Sequence, residues 1–213
     1  LSEKVVSNGM VGLFTTPVFL SSITDQKIIE NAAKSILKLK ETTKGWKRIG
    51  NWVSDDNLHT LPEFKDITDI ILLETKRALD AMTIKRDSHF ITCMWANVAP
   101  IGTAHNEHIH SNCIYSGVLY IRTPDGSGPT LFSDPRPATN VIRPDYEDPS
   151  AFYFGARWGQ VPKEGNMIIF PGWLPHSVEQ VEPQPDAPER IVISFNVMIK
   201  SSVQFDTAKI EFK

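Results

Sequence analysis

Between Thr24 and Lys40 the apolar residues Ile28, Ile29, Ala32, Ala33, Ile36 and Leu37 recur at helical spacing, and lysines fill the opposite face. This pattern predicts an amphipathic helix, with Thr24 or Asp25 placed to cap its start. A second helix is predicted from Pro62 to about Met82, on the stripe Phe64, Ile67, Ile71, Ala78 and Met82. Proline suits a first helical turn, where its missing N–H would have had no intrahelical partner. The stretch between them, GWKRIGNWVSDDNLHTLP, reads as a polar, turn-rich link.

After Lys85 the period shortens to that of strands. FITCMWANV, NCIYSGVLYIRT, PTLFSD, AFYFGARW, GNMIIFPG, HSVEQVE and RIVISFNVMIK are short β-rich runs, several of them divided by turn formers such as Pro-Asp-Gly-Ser-Gly at 124–128. Two helices followed by seven or eight short strands predict a mainly β chain: an antiparallel double sheet of jelly-roll type, with the helices on one face. The simplest division is a single domain over 1–213. A helical N-terminal extension over 1–85 would pack on a β core over 86–213. The proline-rich, polar stretch from Pro135 to Ser150 reads as a surface loop. The wider segment 134–163, with Arg136, Arg143, Tyr153, Arg157 and Trp158, is placed to shape an entrance.

Composition narrows the function classes. With 41% hydrophobic and 22% charged residues the chain reads as a soluble globular protein. A formal charge of −3 gives no footprint for nucleic acid or an anionic membrane. No apolar run approaches the roughly 20 residues of a membrane span, and LSEKVVSNGMVGLFTTPVF has neither the basic start nor the long apolar stretch of a signal peptide. Cys93 and Cys113 both fall in β-like runs and read as buried free thiols, so a reducing, cytoplasmic setting is expected.

The candidate chemistry lies in the histidines. Three of the six fall at His105, His108 and His110. In an extended segment residues two apart share a side, which puts His108 with His110 and His105 with Glu107. Neutral imidazole is the commonest ligand for iron, zinc, copper and nickel, and two on one side can approach a single ion. His176, in FPGWLPHSVEQ, is the candidate third ligand because it too opens a strand-like run after a turn. An isolated H-x-H is often only a polar face, and the register pairing His105 with Glu107 would turn His108 away. His59 and His89 lack such neighbours and read as structural or surface residues. In RIVISFNVMIK, Ile191, Ile193, Phe195 and Val197 form an apolar face. Arg190, Val192, Ser194 and Asn196 form the other, which would line either a polar cavity or solvent.

Gly102, five residues, then His108-Ile-His110, and later Gly165, five residues, then Pro171-Gly172 and His176, resemble the two halves of a cupin-type motif. The ordered set NVAPIGTAHNEHIH, SGVLYIRTPDGSGPTLFSDPR, GNMIIFPGWLPHSVEQ and ERIVISFN resembles a family of 2-oxoglutarate and Fe(II)-dependent oxygenases of phages and bacteria, within the prolyl-4-hydroxylase-like group. The likeness covers roughly residues 90 to 200, and it implies that the jelly roll is a double-stranded β-helix, a cupin-like barrel. It implies Fe(II) held by a His-x-Asp/Glu pair and a distal histidine. His108 matches the first ligand and His176 the distal one, while His110 stands where the family usually has its carboxylate. It also implies that Arg190, fourteen residues after His176, pairs the far carboxylate of 2-oxoglutarate through its two-pronged guanidinium. Relatives often carry Arg-x-Ser here; this chain has Arg-x-Val, with serine only at 194, so Asn97 and Tyr120 are the candidate co-substrate hydrogen-bond donors. Trp95 and Trp173 read as wall or core. The activity implied is hydroxylation of a small-molecule or peptide substrate with O₂. Two other readings remain open: a three-histidine cupin-like dioxygenase that does not use 2-oxoglutarate, and a non-catalytic metal- or ligand-binding barrel.

Overall fold

The computed structural model describes residues 14–48, 50–136, 141, 147, 157–205 and 208–211. Helix α1 spans Gln26–Thr42, and Asp25 caps it by accepting the Lys27 N–H at 3.0 Å. Helix α2 spans Lys65–Ala81. Pro62 opens a single 3₁₀ turn, Pro62–Phe64, so the α-helix begins three residues later than the sequence pattern indicates. Met82 leaves the predicted stripe: it sits at the C-terminal cap, 41% exposed, and Leu79 is buried in its place.

Strands β1 (Phe19–Ser22), β2 (Trp46–Arg48), β3 (Asn51–Val53) and β4 (Ser88–Ala99) come first. They are followed by β5 (His105–His108), β6 (Tyr115–Arg122), β7 (Thr130–Ser133) and β8 (Arg157–Gln160). Then come β9 (Asn166–Pro171), β10 (His176–Val178) and β11 (Arg190–Lys200), before the hairpin β12 (Ser202–Phe205) and β13 (Ala208–Glu211). The larger sheet has the order β1-β9-β6-β11-β4-β3-β2 and the smaller one β5-β10-β7-β8, with antiparallel pairing throughout. This is the double-stranded β-helix architecture, mainly β with flanking helices.

The N-terminal part is more than a helical extension. Its β1 forms one edge of the large sheet, and the β2–β3 hairpin forms the other. Strands of three or four residues are too short for alternation to show, and the polar composition of WKRIGNWV hid the hairpin.

The period-two pattern of β11 gives each face of the large sheet a separate job. Ile191, Ile193, Phe195 and Val197 join Met94, Ala96 and Val98 of β4, together with Ile29, Ile36 and Ile71 of the helices, in one buried cluster. On the other face Val192 lies between Asn97 and Tyr120, Ser194 between Trp95 and Val118, and Asn196 between Cys93 and Ser116. That face looks toward the small sheet. Part of the gap is closed by an apolar cluster containing Tyr120, Phe132, Ile168, Phe170, Leu174 and Val192. The rest is a cavity of about 970 Å³.

Of the predicted entrance segment, residues 137–140, 142–146 and 148–156, including Arg143 and Tyr153, lie outside the described residues. Arg136 pairs with Asp134 at 2.7 Å, while Arg157 and Trp158 are exposed on β8. Among the described residues, no helix is long and apolar enough to cross a membrane.

Candidate metal centre and its cavity

His108 ends β5 and His176 begins β10, and the two are direct partners in the small sheet. His110 lies two residues beyond the regular strand. Its backbone N–H donates to the Gly172 carbonyl at 2.8 Å, which pins it to the turn that precedes β10. Glycine is needed there for a close approach: a Cβ on Gly172 would lie 2.6 Å from the Cys113 sulfur and 3.3 Å from the His110 carbonyl. The sequence motif thus marks a crossing of two chain segments that a side chain would push apart.

The three rings converge, with centres 4.3 to 5.2 Å apart. One nitrogen from each lies within 4.8 Å of the others. His108 and His110 share a side, as the alternation predicts, although the regular strand stops at His108. The competing His105/Glu107 register does not form a centre. The Glu107 carboxylate accepts the Ser133 hydroxyl, and His105 lies beside Asn51, with Nε2 3.4 Å from its Nδ2.

Hydrogen bonding fixes which nitrogen each ring offers. The Nδ1 of His108 lies 2.8 Å from the Asn106 carbonyl, that of His176 3.0 Å from the Leu174 carbonyl, and that of His110 2.7 Å from the Asn196 Oδ1. All three partners are acceptors only, so each Nδ1 carries the proton and donates. Three Nε2 lone pairs are left, and such orientation of the far ring nitrogen is how proteins prepare metal-binding histidines.

Asn196 had no assigned role in the sequence beyond its place on the polar face of β11. Its Oδ1 also accepts the Ser116 hydroxyl, while its Nδ2 donates to the Cys93 sulfur at 3.2 Å. Trp95 stacks against His110 from the side, with centres 5.9 Å apart and planes at 22°. Removing the acceptor in Asn196→Ala is expected to weaken Fe(II) affinity about 10- to 100-fold. Titration of the purified variant with Fe(II) under anaerobic conditions checks this.

Burial keeps His110 and His176 neutral. His176, only 6% exposed, is pushed down to about 4 by loss of solvent, with smaller contributions from the neighbouring imidazoles and an opposing one from the Leu174 carbonyl. Burial also lowers His110, against the pull of Asn196. A neutral imidazole can bind metal at pH 7 without first losing a proton. The unfolded chain takes up the His176 proton near pH 6.5, before the folded one does. Its contribution to metal-free stability is therefore complete above that pH and lost as pH falls through about 4. The full loss is about 3 kcal/mol. Urea unfolding of the metal-free protein at pH 7 and pH 4.5 should show it, with a flatter profile in His176→Leu.

Arg190, at the start of β11, lines the same cavity as the three imidazoles. Its guanidinium carbon lies 5.8 Å from the Tyr120 ring centre, and Nη1 reaches the Gly128 carbonyl only at 3.5 Å. The Nε is buried without a partner, and among the described residues no carboxylate pairs with this side chain. Burial pushes the guanidinium below its ordinary value, with Tyr120 opposing. A buried cation left this way is costly unless an anion meets it.

Asn97 also lines the cavity and is 7% exposed, with its Oδ1 3.5 Å from Asn51 Nδ2. Tyr120 is placed differently from the expectation. Its hydroxyl is bonded to Thr130 at 2.8 Å within the apolar cluster, and it is Thr130 that lines the cavity. Thr130 carried no signal in the sequence, because PTLF reads only as a strand. Trp95 is cavity wall, whereas Trp173 is 53% exposed and outside it. Cys93 and Cys113 are free and half-buried.

Residues 93–196 match the model of the family described as "Putative 2OG-Fe(II) oxygenase", a span that holds all three histidines and Arg190. This region is a 2OG-Fe(II) oxygenase domain. Similar solved structures include a prolyl-4-hydroxylase from Pseudomonas putida, at 10% identity and a TM-score of 0.62, covering 88% of this chain and 95% of that one. HygX from Streptomyces hygroscopicus, solved with nickel and 2-oxoglutarate bound, has 12% identity and a TM-score of 0.59, with 87% and 83% covered. The alpha-ketoglutarate-dependent epimerase SnoN of nogalamycin biosynthesis has 8% identity and a TM-score of 0.63, with 91% and 80% covered. At these identities the likeness shows a shared fold. No curated protein matches this chain. The oxygenase domain marks an oxidoreductase whose family uses Fe(II) and 2-oxoglutarate. The residues fit both groups: three Nε2 lone pairs suit Fe(II), and the unpaired guanidinium suits a dicarboxylate.

Proposed function

We propose that this chain is a 2-oxoglutarate-dependent hydroxylase in which His108, His110 and His176 hold Fe(II) and Arg190 binds the far carboxylate of the co-substrate. The observation that carries this reading is the juxtaposition of three Nδ1-protonated imidazoles and a buried, unpaired guanidinium in one cavity. When bound, Fe(II) supplies the activation of O₂ that couples decarboxylation of 2-oxoglutarate to succinate with oxidation of a C–H bond.

The protein's own residues set the conditions. Asn106, Leu174 and Asn196 hold the three rings in the tautomer that presents Nε2. Arg190 and the Thr130 hydroxyl, backed by Tyr120, orient the dicarboxylate. Phe170 and Val192 give part of the wall an apolar surface that limits water. Three neutral ligands leave the full charge of a divalent ion in place, which favours an anionic co-ligand more than a site with one carboxylate would. A small molecule or a peptide is the substrate class that the family supports, and the hydroxylase reading is the one that the prolyl hydroxylase neighbour favours.

A three-histidine dioxygenase that dispenses with 2-oxoglutarate gives Arg190 no partner, so the buried guanidinium weighs against it. Anaerobic addition of Fe(II) and then 2-oxoglutarate tests the assignment. A visible charge-transfer band from the bidentate chelate is expected. Binding of Fe(II) with no band on saturation by 2-oxoglutarate would refute the co-substrate assignment.

A further inference from the structure

A five-carbon dicarboxylate fills only a small part of a cavity of about 970 Å³, and the remaining wall has a consistent polarity. Arg190 is the one lysine or arginine among the described lining residues, and the other charged side chains there are Asp55, Asp56 and Glu107. The whole chain is nearly balanced, with 22 basic and 25 acidic residues, so composition does not explain this bias. With Arg190 matched to the co-substrate, the charge left facing a second ligand is negative.

The carboxylates stand on a fixed support. The segment after β3 is fastened to β4 by Ser54 N–H to the Ala96 carbonyl at 3.0 Å, Ala96 N–H to Ser54 Oγ at 2.9 Å, and Met94 N–H to the Asp56 carbonyl at 2.8 Å. Neither Asp55 nor Asp56 forms an ion pair with a described residue, and both are exposed.

An independent observation has the same sign. Asn51, 5% exposed, lines the cavity, and its Oδ1 is buried without a partner. Its Nδ2 is directed at Asn97 Oδ1, 3.5 Å away, and His105 Nε2, 3.4 Å away. Rotating the Asn51 amide alone would bring its oxygen against the Asn97 Oδ1, so the unmatched group stays an acceptor and adds a negative partial charge to the wall. Trp46, 69% exposed, and Trp95 add aromatic faces to the same wall, surfaces that favour cations.

We propose that this cavity receives a protonated nitrogen of the substrate, an alkylammonium or guanidinium group, against the Asp55 and Asp56 carboxylates. The assignment deepens the oxygenase reading of the cavity and rests on it. A basic amino acid and a basic side chain of a peptide offer the same group.

The test is anaerobic calorimetry on the Fe(II)- and 2-oxoglutarate-loaded protein with matched probes: L-lysine against L-norleucine, L-arginine against L-citrulline, and Gly-Lys-Gly against Gly-norleucine-Gly. The cationic member of at least one pair should bind about tenfold tighter, and Asp55→Asn/Asp56→Asn should reduce the difference to about twofold or less. The peptide pair distinguishes a free amine from a side chain. No preference in any pair, or one that survives undiminished in the double variant, overturns the inference. The charge-transfer band is recorded on the same samples. A band without charge preference removes this inference and spares the co-substrate assignment. An aspartate-dependent preference without a band does the reverse.

Discussion

Arg190→Ala raises the 2-oxoglutarate concentration needed for half-maximal succinate formation by roughly 10²- to 10³-fold and leaves bound iron unchanged. Truncating one member of a buried, hydrogen-bonded charge pair costs about 2–5 kcal/mol, mostly because the remaining charge stays desolvated. Arg190 meets that condition, since its Nε is buried and the described residues offer it no carboxylate. Arg190→Lys should recover only part of the loss, because an ammonium keeps the charge but not the two-pronged geometry. The variant should be no less stable than the parent without co-substrate, as it removes an uncompensated buried cation. Iron analysis, a 2-oxoglutarate saturation curve and a urea melt separate these effects. An unaltered saturation curve would take Arg190 out of the site.

His176→Ala removes the only one of the three rings that is almost wholly buried. A four-ligand structural zinc site provides about 10–16 kcal/mol, or roughly 3–4 kcal/mol per ligand. Loss of one imidazole is therefore expected to weaken metal binding about 10²- to 10³-fold, with turnover falling at least as far. The substitution also opens a space beside Phe170, whose ring centre is 4.6 Å away, so some stability is lost independently of metal. His108→Ala supplies the control. That ring is exposed, so it should match the loss of metal with little change in urea midpoint. Equal iron content in both variants and the parent would show that the three rings do not form the centre.

The two properties that fix the site, the clustering of histidines and the alternation of β11, were readable from residue order alone. Each is a local pattern. Ile191, Ile193, Phe195 and Val197 must pack against helices, so the intervening positions have to face the other way, whatever lies there. The convergence of His176 with His108 depends on strand pairing across almost seventy positions; the residue order offers His176 only as a histidine opening a strand-like run after a turn, and the family resemblance adds its match to the distal ligand. Asn51, Asp55 and Asp56 carry no signal in the sequence, because Asn51 opens, and the two aspartates follow, a three-residue hairpin strand with no apolar rhythm. Thr130 was missed for a different reason. Its role comes from the neighbouring Tyr120 hydroxyl, and a single threonine in a strand is chemically silent until its partner is known. Tyr120, a candidate co-substrate donor in the sequence, instead bonds its hydroxyl to Thr130 within the apolar cluster.

The interleaving on β11 has a consequence for how this molecule can change. Arg190, Val192, Ser194 and Asn196 share a backbone with Ile191, Ile193, Phe195 and Val197, but the two sets meet different neighbours. A saturation survey of this eleven-residue strand should give a comb: protein abundance collapsing at one set of teeth, and chemistry vanishing from well-expressed protein at the other. A lineage could then rework its reactivity one tooth at a time without renegotiating the packing that keeps the chain folded.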